Sequence, residues 1–481
     1  MSMLTFFRIS SMIVALVGIT FLLPIGTAVA FGETAVIQSF VIPMIVSCLI
    51  AVFFFIVGRG KEIRLSTRGT FVIVAFAWIF ASLFGAFPLY FSGAIPHFPD
   101  AFFESVSGFT TTGATILSDI ESLPRSINLW RCETHWLGGM GIVALTVALL
   151  PLLGVGGFQL IKAETTGPEK GKVTPKITTT AKLLWLIYVV LTAVQTVLLM
   201  ISGMDFIDSL SYAFATLGTG GFATKNASVG AYNSAAIDNI CTVFMVLAGV
   251  NFSLYYYLLT GKFHDIRDNS ELKAYIVIYI TAALGVTFFI MPEYGNFFHA
   301  LRYGAFQTAS ILTTTGFATA DYTTWCMPAQ VILFLLFFIG GCSGSTAGGI
   351  KVIRWVVLGK QIHNETERIL HPHGVFSIRL NGRVGRKDIV FSVASFISLY
   401  LIIVAITTVI GCCCGLDVFS SFTGSLSMVG NVGPAFGSLG PSCNYGFLPD
   451  ALKFWYSFAM LSGRLELYTM ILFFMPAFWK K

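Results

Sequence analysis

Four short strips of small and hydroxyl-bearing residues recur along this 481-residue sequence. They are Thr110-Thr111-Thr112-Gly113, Gly218-Thr219-Gly220-Gly221, Thr313-Thr314-Thr315-Gly316 and Gly430-Asn431-Val432-Gly433. The chemistry open to such residues is coordination of a cation by main-chain oxygen. A bare ion enters a membrane only where other oxygens replace its hydration shell, and rings of backbone carbonyls do this. Aiming successive carbonyls at one axis needs backbone conformations that ordinary residues resist and glycine adopts freely. Gly113, Gly221, Gly316 and Gly433 meet that need, and the threonine hydroxyls serve either as extra acceptors or as props behind the strand. No Asp or Glu falls inside a strip, which disfavours a carboxylate site for hard divalent cations and favours a monovalent one.

Taken singly, each strip reads as a Thr/Gly-rich outer loop. Taken together, each follows about ten residues of amphipathic, helix-compatible sequence and lies between two long apolar runs. Asp100 precedes Gly113 by the same spacing as Asp208 precedes Gly221. Non-helical backbone at membrane depth is tolerated only where it is buried in protein or lines a water-filled path. The strips are therefore read as one selectivity filter, each held by a unit of span, re-entrant segment and span.

The elements that position them must be membrane helices. Hydrophobic residues make up 56% and charged residues 11% of the chain, with mean hydropathy +0.81, against roughly 25% charged in soluble domains. About ten apolar runs are long enough to cross as helix: 9–30, 36–58, 70–92, 130–157, 180–202, 235–261, 273–292, 326–350, 388–414 and 450–478. The fold class expected is an all-α polytopic membrane protein of four pseudo-symmetric helix–pore loop–helix units around one pore. The units are 70–160, 177–262, 273–359 (its second helix broken) and 388–481, with two extra N-terminal transmembrane helices in 1–69.

Most Lys and Arg fall in alternate loops: Arg59 to Arg68, Lys162 to Lys176, Lys262 to Lys273, and Lys351 to Lys387. Lys and Arg excess marks cytoplasmic loops, so both termini are placed inside and the strips approach from outside. Glu104, Asp119 and Glu121 then fall on the outer side, where they either concentrate cations or are simply solvated. Cys326 and Cys443 lie on that side too and could pair; no cysteine spacing suggests zinc.

Two other stretches bear on function. Residues 340–349 interrupt a span with small residues: Gly340, Gly341, Ser343, Gly344, Ser345, Thr346, Gly348 and Gly349. They permit close helix packing or form a gate. A P-loop is excluded because no Gly-Lys-Ser/Thr follows. Lys351 is either a snorkelling helix end or part of that gate. Arg464 falls inside the last span, where a charge is costly and marks function; Glu466, two residues on, does not face it on a helix. No catalytic constellation is present, since His371-Pro372-His373 lacks further ligand spacing and Gly154 to Gly157 lacks a dinucleotide-site context. No nucleic-acid partner is expected.

The strips, with Gly340-Gly341-Cys342-Ser343-Gly344-Ser345-Thr346-Ala347-Gly348-Gly349-Ile350-Lys351 and Ser462-Gly463-Arg464-Leu465-Glu466, closely resemble the Trk/Ktr/HKT superfamily of potassium transporters, and within it the TrkH-type subunits. Val432-Gly433 also resembles the Val-Gly of potassium channel filters. The resemblance covers nearly the whole chain, including the extra N-terminal helix pair. It implies potassium as the transported ion, because a glycine stands in all four strips. It implies an intramembrane loop at 340–349 that gates below the filter, with Arg464 projecting into the pore. It further implies a homodimer in the bacterial inner membrane and a cytosolic nucleotide-binding regulatory ring of TrkA type docking near 162–176 and 354–387. No cofactor is expected in this chain. Arg8, the apolar run to Leu23 and Ala28-Val29-Ala30 mimic a cleavable signal, but the resemblance favours a retained first span. An alternating-access carrier of a small solute and a sodium-coupled cation symporter are the alternatives.

Overall fold

Hydrophobic runs of bilayer-crossing length form helices through most of the chain, and the exceptions are informative. The structure, a computed structural model, describes residues 3–59, 66–141, 177–381, 383–384 and 389–480. Lys61, Arg64, Lys162, Lys170, Lys172, Lys176, Arg386, Lys387 and the Gly154–Gly157 motif lie outside the described residues, as does the whole 162–176 docking segment.

The helices in order are α1 (Met3–Thr20), α2 (Leu22–Ala30), α3 (Thr34–Val57), α4 (Thr67–Phe91), α5 (Phe98–Phe109), α6 (Arg125–Gly139), α7 (Ile177–Ile201) and α8 (Phe206–Gly218). There follow α9 (Ala235–Ala248), α10 (Phe252–Leu259), α11 (Ser270–Tyr294), α12 (Phe297–Leu312), α13 (Met327–Leu336), α14 (Val352–Leu370), α15 (Ile389–Cys413), α16 (Val418–Gly430) and α17 (Asp450–Arg464). A two-stranded antiparallel hairpin, Arg379–Leu380 with Arg383–Val384, departs from the all-helical pattern. Among the described residues six helices are long and apolar enough to cross a membrane, or up to eight if each bent pair counts as one span.

Two runs read as single spans are broken, and the third unit's second helix is broken as expected. The run 235–261 turns by 92° between α9 and α10, and the run 450–478 turns by 118° after α17. At the first break stand Gly249, Val250 and Asn251, and Asn251 caps α10 by accepting from Ser253 N at 2.9 Å. At the second, Glu466 and Leu467 both take positive φ, 59° and 52°, which ends any helix. The run 326–350 is helical only to Leu336 and continues as the small-residue stretch. The run 130–157 is described only as far as Gly141.

Burial follows the expected radial order. The short helices α5, α8, α12 and α16 are the interior elements: Ser105, Ser107, Ser211, Thr216, Thr308, Ser310, Ser425 and Ser427 are buried on them. Thr216 and Ser425 hydroxyls return to carbonyls a turn back, Tyr212 O at 2.6 Å and Ser421 O at 2.7 Å, while Ser105 donates to Ser82 O at 2.6 Å on α4 and Ser310 to Phe317 O at 2.6 Å beyond its strip. In contrast, α3 and α15 keep most of their apolar surface outward, with 17% and 28% of their spanning windows buried. That is the lipid-facing shell. Helix α1 packs on α3 and α4, burying Ile9, Ile13 and Val17.

Candidate ion-conduction site

Each interior helix delivers its C-terminus into one strip, and three start with a capped N-terminus. Asp205 accepts from Asp208 N at 2.7 Å, Asn296 from Phe298 N at 3.0 Å and Asp417 from Ser420 N at 2.9 Å. The C-terminal ends carry roughly half a negative charge each from aligned peptide dipoles. Four such ends pointing into one place favour a cation there.

The strips share a backbone signature in the same register. Thr111, Thr219, Thr314 and Asn431 take φ of 55°, 54°, 54° and 55°, and two residues later Gly113, Gly221, Gly316 and Gly433 take 78°, 80°, 82° and 100°. A left-handed non-glycine residue costs about 1–2 kcal/mol, so its fourfold recurrence needs strong support from the surroundings.

The glycines also close a ring. A Cβ on Gly113 would stand 1.9 Å from Gly220 O, one on Gly221 2.1 Å from Thr315 O, one on Gly316 2.3 Å from Val432 O, and one on Gly433 2.5 Å from Thr112 O. Strip one thus abuts strip two, two abuts three, three abuts four, and four returns to one. In every case the oxygen belongs to the residue just before the neighbouring strip's glycine. The carbonyls of Thr112, Gly220, Thr315 and Val432 accept no hydrogen bond among the described residues, although these residues are buried. Buried carbonyls without partners are uncommon, and free acceptors of this kind can replace water around a cation.

The threonine hydroxyls are props. Thr110 Oγ1 and Thr112 Oγ1 are 2.9 Å apart, Thr313 Oγ1 and Thr315 Oγ1 2.7 Å, and Thr110 and Thr313 also bond back to Val106 O and Ala309 O at 2.7 Å. Asn431 Nδ2 donates to Thr112 Oγ1 at 3.0 Å and to Met460 O at 3.0 Å, tying strip four to strip one.

Glu104 is not an outer cation collector. It is buried and paired with buried Arg131 (Nη2 to Oε1 2.7 Å), and it also accepts from Thr115 Oγ1 at 2.8 Å and Ile116 N at 2.9 Å. Arg131 in turn lies 4.3 Å over Phe222 and donates to Asn128 Oδ1 at 3.1 Å. The pair joins the chain leaving strip one to the chain leaving strip two. Removing one partner of a buried ion pair leaves an uncompensated charge costing about 3–5 kcal/mol. Arg131→Ala is therefore expected to lower the thermal unfolding midpoint of purified protein by several degrees. An unchanged midpoint would show that the pair carries no structural weight. Asp119 and Glu121 are exposed as anticipated: the Asn226 amide bonded to Asp119 holds its carboxyl below the ordinary range, and Lys225 lies 3.5 Å from Glu121. Cys326 and Cys443 are free thiols.

The stretch 340–349 forms a loop packed against strips three and four. Its legs meet where Gly340 N donates to Ile350 O at 2.9 Å and Val352 N to Gly341 O at 3.2 Å. Its far side touches strip three, Gly348 N donating to Thr314 Oγ1 at 2.6 Å. A Cβ on Gly348 would fall 2.5 Å from Gly430 O, so only glycine permits that approach. The loop also docks into the α9–α10 break: Cys342 N donates to Gly249 O at 2.8 Å, Phe252 N to Gly344 O at 3.0 Å, and Thr346 Oγ1 to Ala248 O at 3.2 Å.

Arg464, the last residue of α17, straps this loop across to α6. Nη1 donates to Thr346 O at 2.7 Å, and Nη2 to Gly138 O at 2.6 Å and Gly139 O at 2.7 Å. Glu466 instead pairs with Arg354, whose guanidinium lies 3.5 Å over Phe396. Lys351 does not snorkel. It is buried, and Nζ donates to Ala347 O within the loop.

Residue typing alone missed several supports. His135 Nδ1 donates to Gly108 O at 2.7 Å while its ring fills the space a Gly220 side chain would take. Tyr445 and Ser427 hydroxyls both donate to Gly433 O at 2.8 Å. Glu271 binds the intramembrane loop. The glycine-asparagine pair at 249 and 251 inside an apolar run was the one readable signal among these.

A family profile described as a cation transport protein, TrkH, matches residues 36–481. This chain belongs to the TrkH family. It is 38% identical over 489 residues, covering 100% of both chains, to the Trk system potassium uptake protein TrkH of Halomonas elongata. To the protein of the same name from Escherichia coli it is 37% identical over 98% of this chain and 99% of the other. The crystal structure of the potassium transporter TrkH from Vibrio parahaemolyticus superposes with a TM-score of 0.88 at 33% identity, covering 100% of both chains. The chain is a multi-pass membrane transporter, not an enzyme.

Proposed function

We propose that this chain takes up potassium across the bacterial inner membrane through a filter built from the four strips. The observation that carries this reading is the closed ring in which each strip's glycine abuts an unpartnered carbonyl of the next. The oxygens of Thr112, Gly220, Thr315 and Val432 replace water around a dehydrated monovalent ion, and the four helix C-termini offset part of its charge. The absence of carboxylates from the strips supports a monovalent cargo. The names of the relatives support potassium.

The loop 340–349 acts as the gate, with Arg464 as its strap and as a positive barrier beneath the filter. Both termini and the basic loops are cytoplasmic, and four units surround the pore with α1–α3 outside them. The protein works as a homodimer with a cytosolic nucleotide-binding ring of TrkA type that biases the loop. The four-strip ring favours this route over a carrier pocket between broken helices at the midplane.

Single-channel recording under bi-ionic potassium and sodium tests it, comparing the native chain with Gly316→Ser. The native chain should show a reversal potential set by potassium, and Gly316→Ser should move that potential toward sodium. Equal permeabilities in the native chain would overturn the reading.

A further inference from the structure

We propose that Glu271 is a positioning residue that holds the intramembrane loop shut, and that the cytoplasmic hairpin at 379–384 acts on the loop through the same helix turn. The inference rests on the gate reading above and adds to it the group that sets the gate. Glu271 lies in the first turn of α11, 5% exposed. Its Oε1 accepts from Ser343 N at 2.7 Å and from Ile353 N at 3.1 Å. Ser343 lies on the first leg of the loop, and Ile353 lies in the first turn of α14, beyond the second leg. One carboxylate oxygen therefore staples the two legs of the loop together from a different helix. Backbone donors to a carboxylate form strong, charge-assisted bonds, and the N-terminus of α14 favours a negative charge there. With the staple released, only the Gly340–Ile350 and Gly341–Val352 main-chain bonds would join the legs.

The residue next to Glu271 connects this staple to the cytoplasmic side. Ser270 N donates to Asn381 Oδ1 at 2.9 Å. Asn381 is the turn of the hairpin, with φ of 49°, and the hairpin is seated by Leu380 and Ile378 in a cluster with Ile353, Val357 and Val393. Consecutive residues of one helix turn thus grip the hairpin and the gate. A displacement of the hairpin would move the α11 N-terminus, and with it the carboxylate that closes the loop. Helix α14 joins the two regions as well, since Ile353 both packs against the hairpin and donates to Glu271.

The test is rubidium influx into liposomes holding the full chain alone, with the potassium-to-sodium permeability ratio measured alongside. Loss of two charge-assisted bonds should raise basal flux of Glu271→Ala roughly tenfold without changing the ratio. Glu271→Gln keeps an acceptor oxygen at the same reach and should stay within about threefold of the native chain, whereas Glu271→Asp, one methylene short, should resemble Glu271→Ala. Asn381→Ala should raise flux by about threefold, and combining it with Glu271→Ala should add nothing, as coupled positions behave. Native flux in Glu271→Ala while Arg464→Ala rises would overturn the staple and leave the gate standing. Native flux in both would overturn the gate reading itself. A ratio that collapses together with the flux assigns Glu271 to filter support and overturns the proposal. If Glu271→Ala does not fold, equal fluxes in the Gln and Asp variants overturn it. An additive double variant overturns the hairpin link.

Discussion

Rubidium uptake by a Gly113→Ala variant is expected to fall by at least ~100-fold, with the protein still assembled in the membrane. Two independent costs converge at this position. The backbone at Gly113 has φ of 78°, a conformation that costs an alanine about 1–2 kcal/mol. The added Cβ would also stand 1.9 Å from Gly220 O, well inside contact distance, and that oxygen belongs to the adjoining strip. Relief requires moving the Gly220 carbonyl, one of the four proposed to coordinate a dehydrated ion. A coordination shell weakened by ~3 kcal/mol lowers passage by about 100-fold. The same geometry holds at Gly221 and Gly316, where the approaches are 2.1 Å and 2.3 Å, so Gly221→Ala and Gly316→Ala should behave alike. Uptake measured in potassium-starved cells and in liposomes checks this, with size-exclusion profiles reporting assembly. Uptake near the native rate in all three variants would show that the ring is not the path of the ion.

The register of the four strips was legible in the sequence because glycine has few reasons to recur after hydroxyl residues at the end of a short amphipathic helix. All four strips carry the left-handed residue two places before the glycine, including the divergent Gly430–Gly433 strip. The break in the span at 340–349 was legible as a run of small residues, and Arg464 stood out as a charge where charges are costly. Glu104 was misread because it was grouped with the outer acids Asp119 and Glu121, although it stands in the short helix before strip one, and its partner Arg131 lies on another helix. Pairing across helices has no local signature. Glu271 was missed for the same reason: a glutamate in the first turn of a helix is ordinary, and only the fold brings Ser343 N and Ile353 N to it. The breaks after α9 and α17 were hidden by hydropathy, which sums composition and is blind to direction. At the second break the left-handed residues are Glu466 and Leu467, whose types give no warning of a turn.

Arg464→Ala is the variant expected to move the gate furthest, raising rubidium flux in liposomes by roughly 10- to 100-fold in both directions. The guanidinium donates to the carbonyls of Thr346, Gly138 and Gly139 at 2.6 to 2.7 Å. It therefore joins the loop on one side to the C-terminus of α6 on the other, and α6 supplies a helix end whose free carbonyls attract a cation. Bonds to charged groups contribute about 1.5–3 kcal/mol each, but an opened loop would regain some of that through water, so the net bias toward the closed state is smaller than their sum. Alanine removes the strap and also the positive charge beneath the filter. Both losses act in the same direction on a permeating cation, one by freeing the loop and the other by lowering the electrostatic barrier. Arg464→Lys separates them. It keeps the charge, yet a single ammonium lacks the planar fork that spans two sides at once, so flux should rise by only a few-fold. Arg464→Gln loses the charge and keeps some hydrogen bonding. If barrier height dominates, Gln should resemble Ala and Lys the native chain. If the strap dominates, Lys and Gln should both lie between. In either case the potassium-to-sodium ratio should hold, because the ring of carbonyls is untouched. A fall in flux with Arg464→Ala would show instead that the guanidinium keeps the conducting architecture together, and the gate would have to be sought elsewhere.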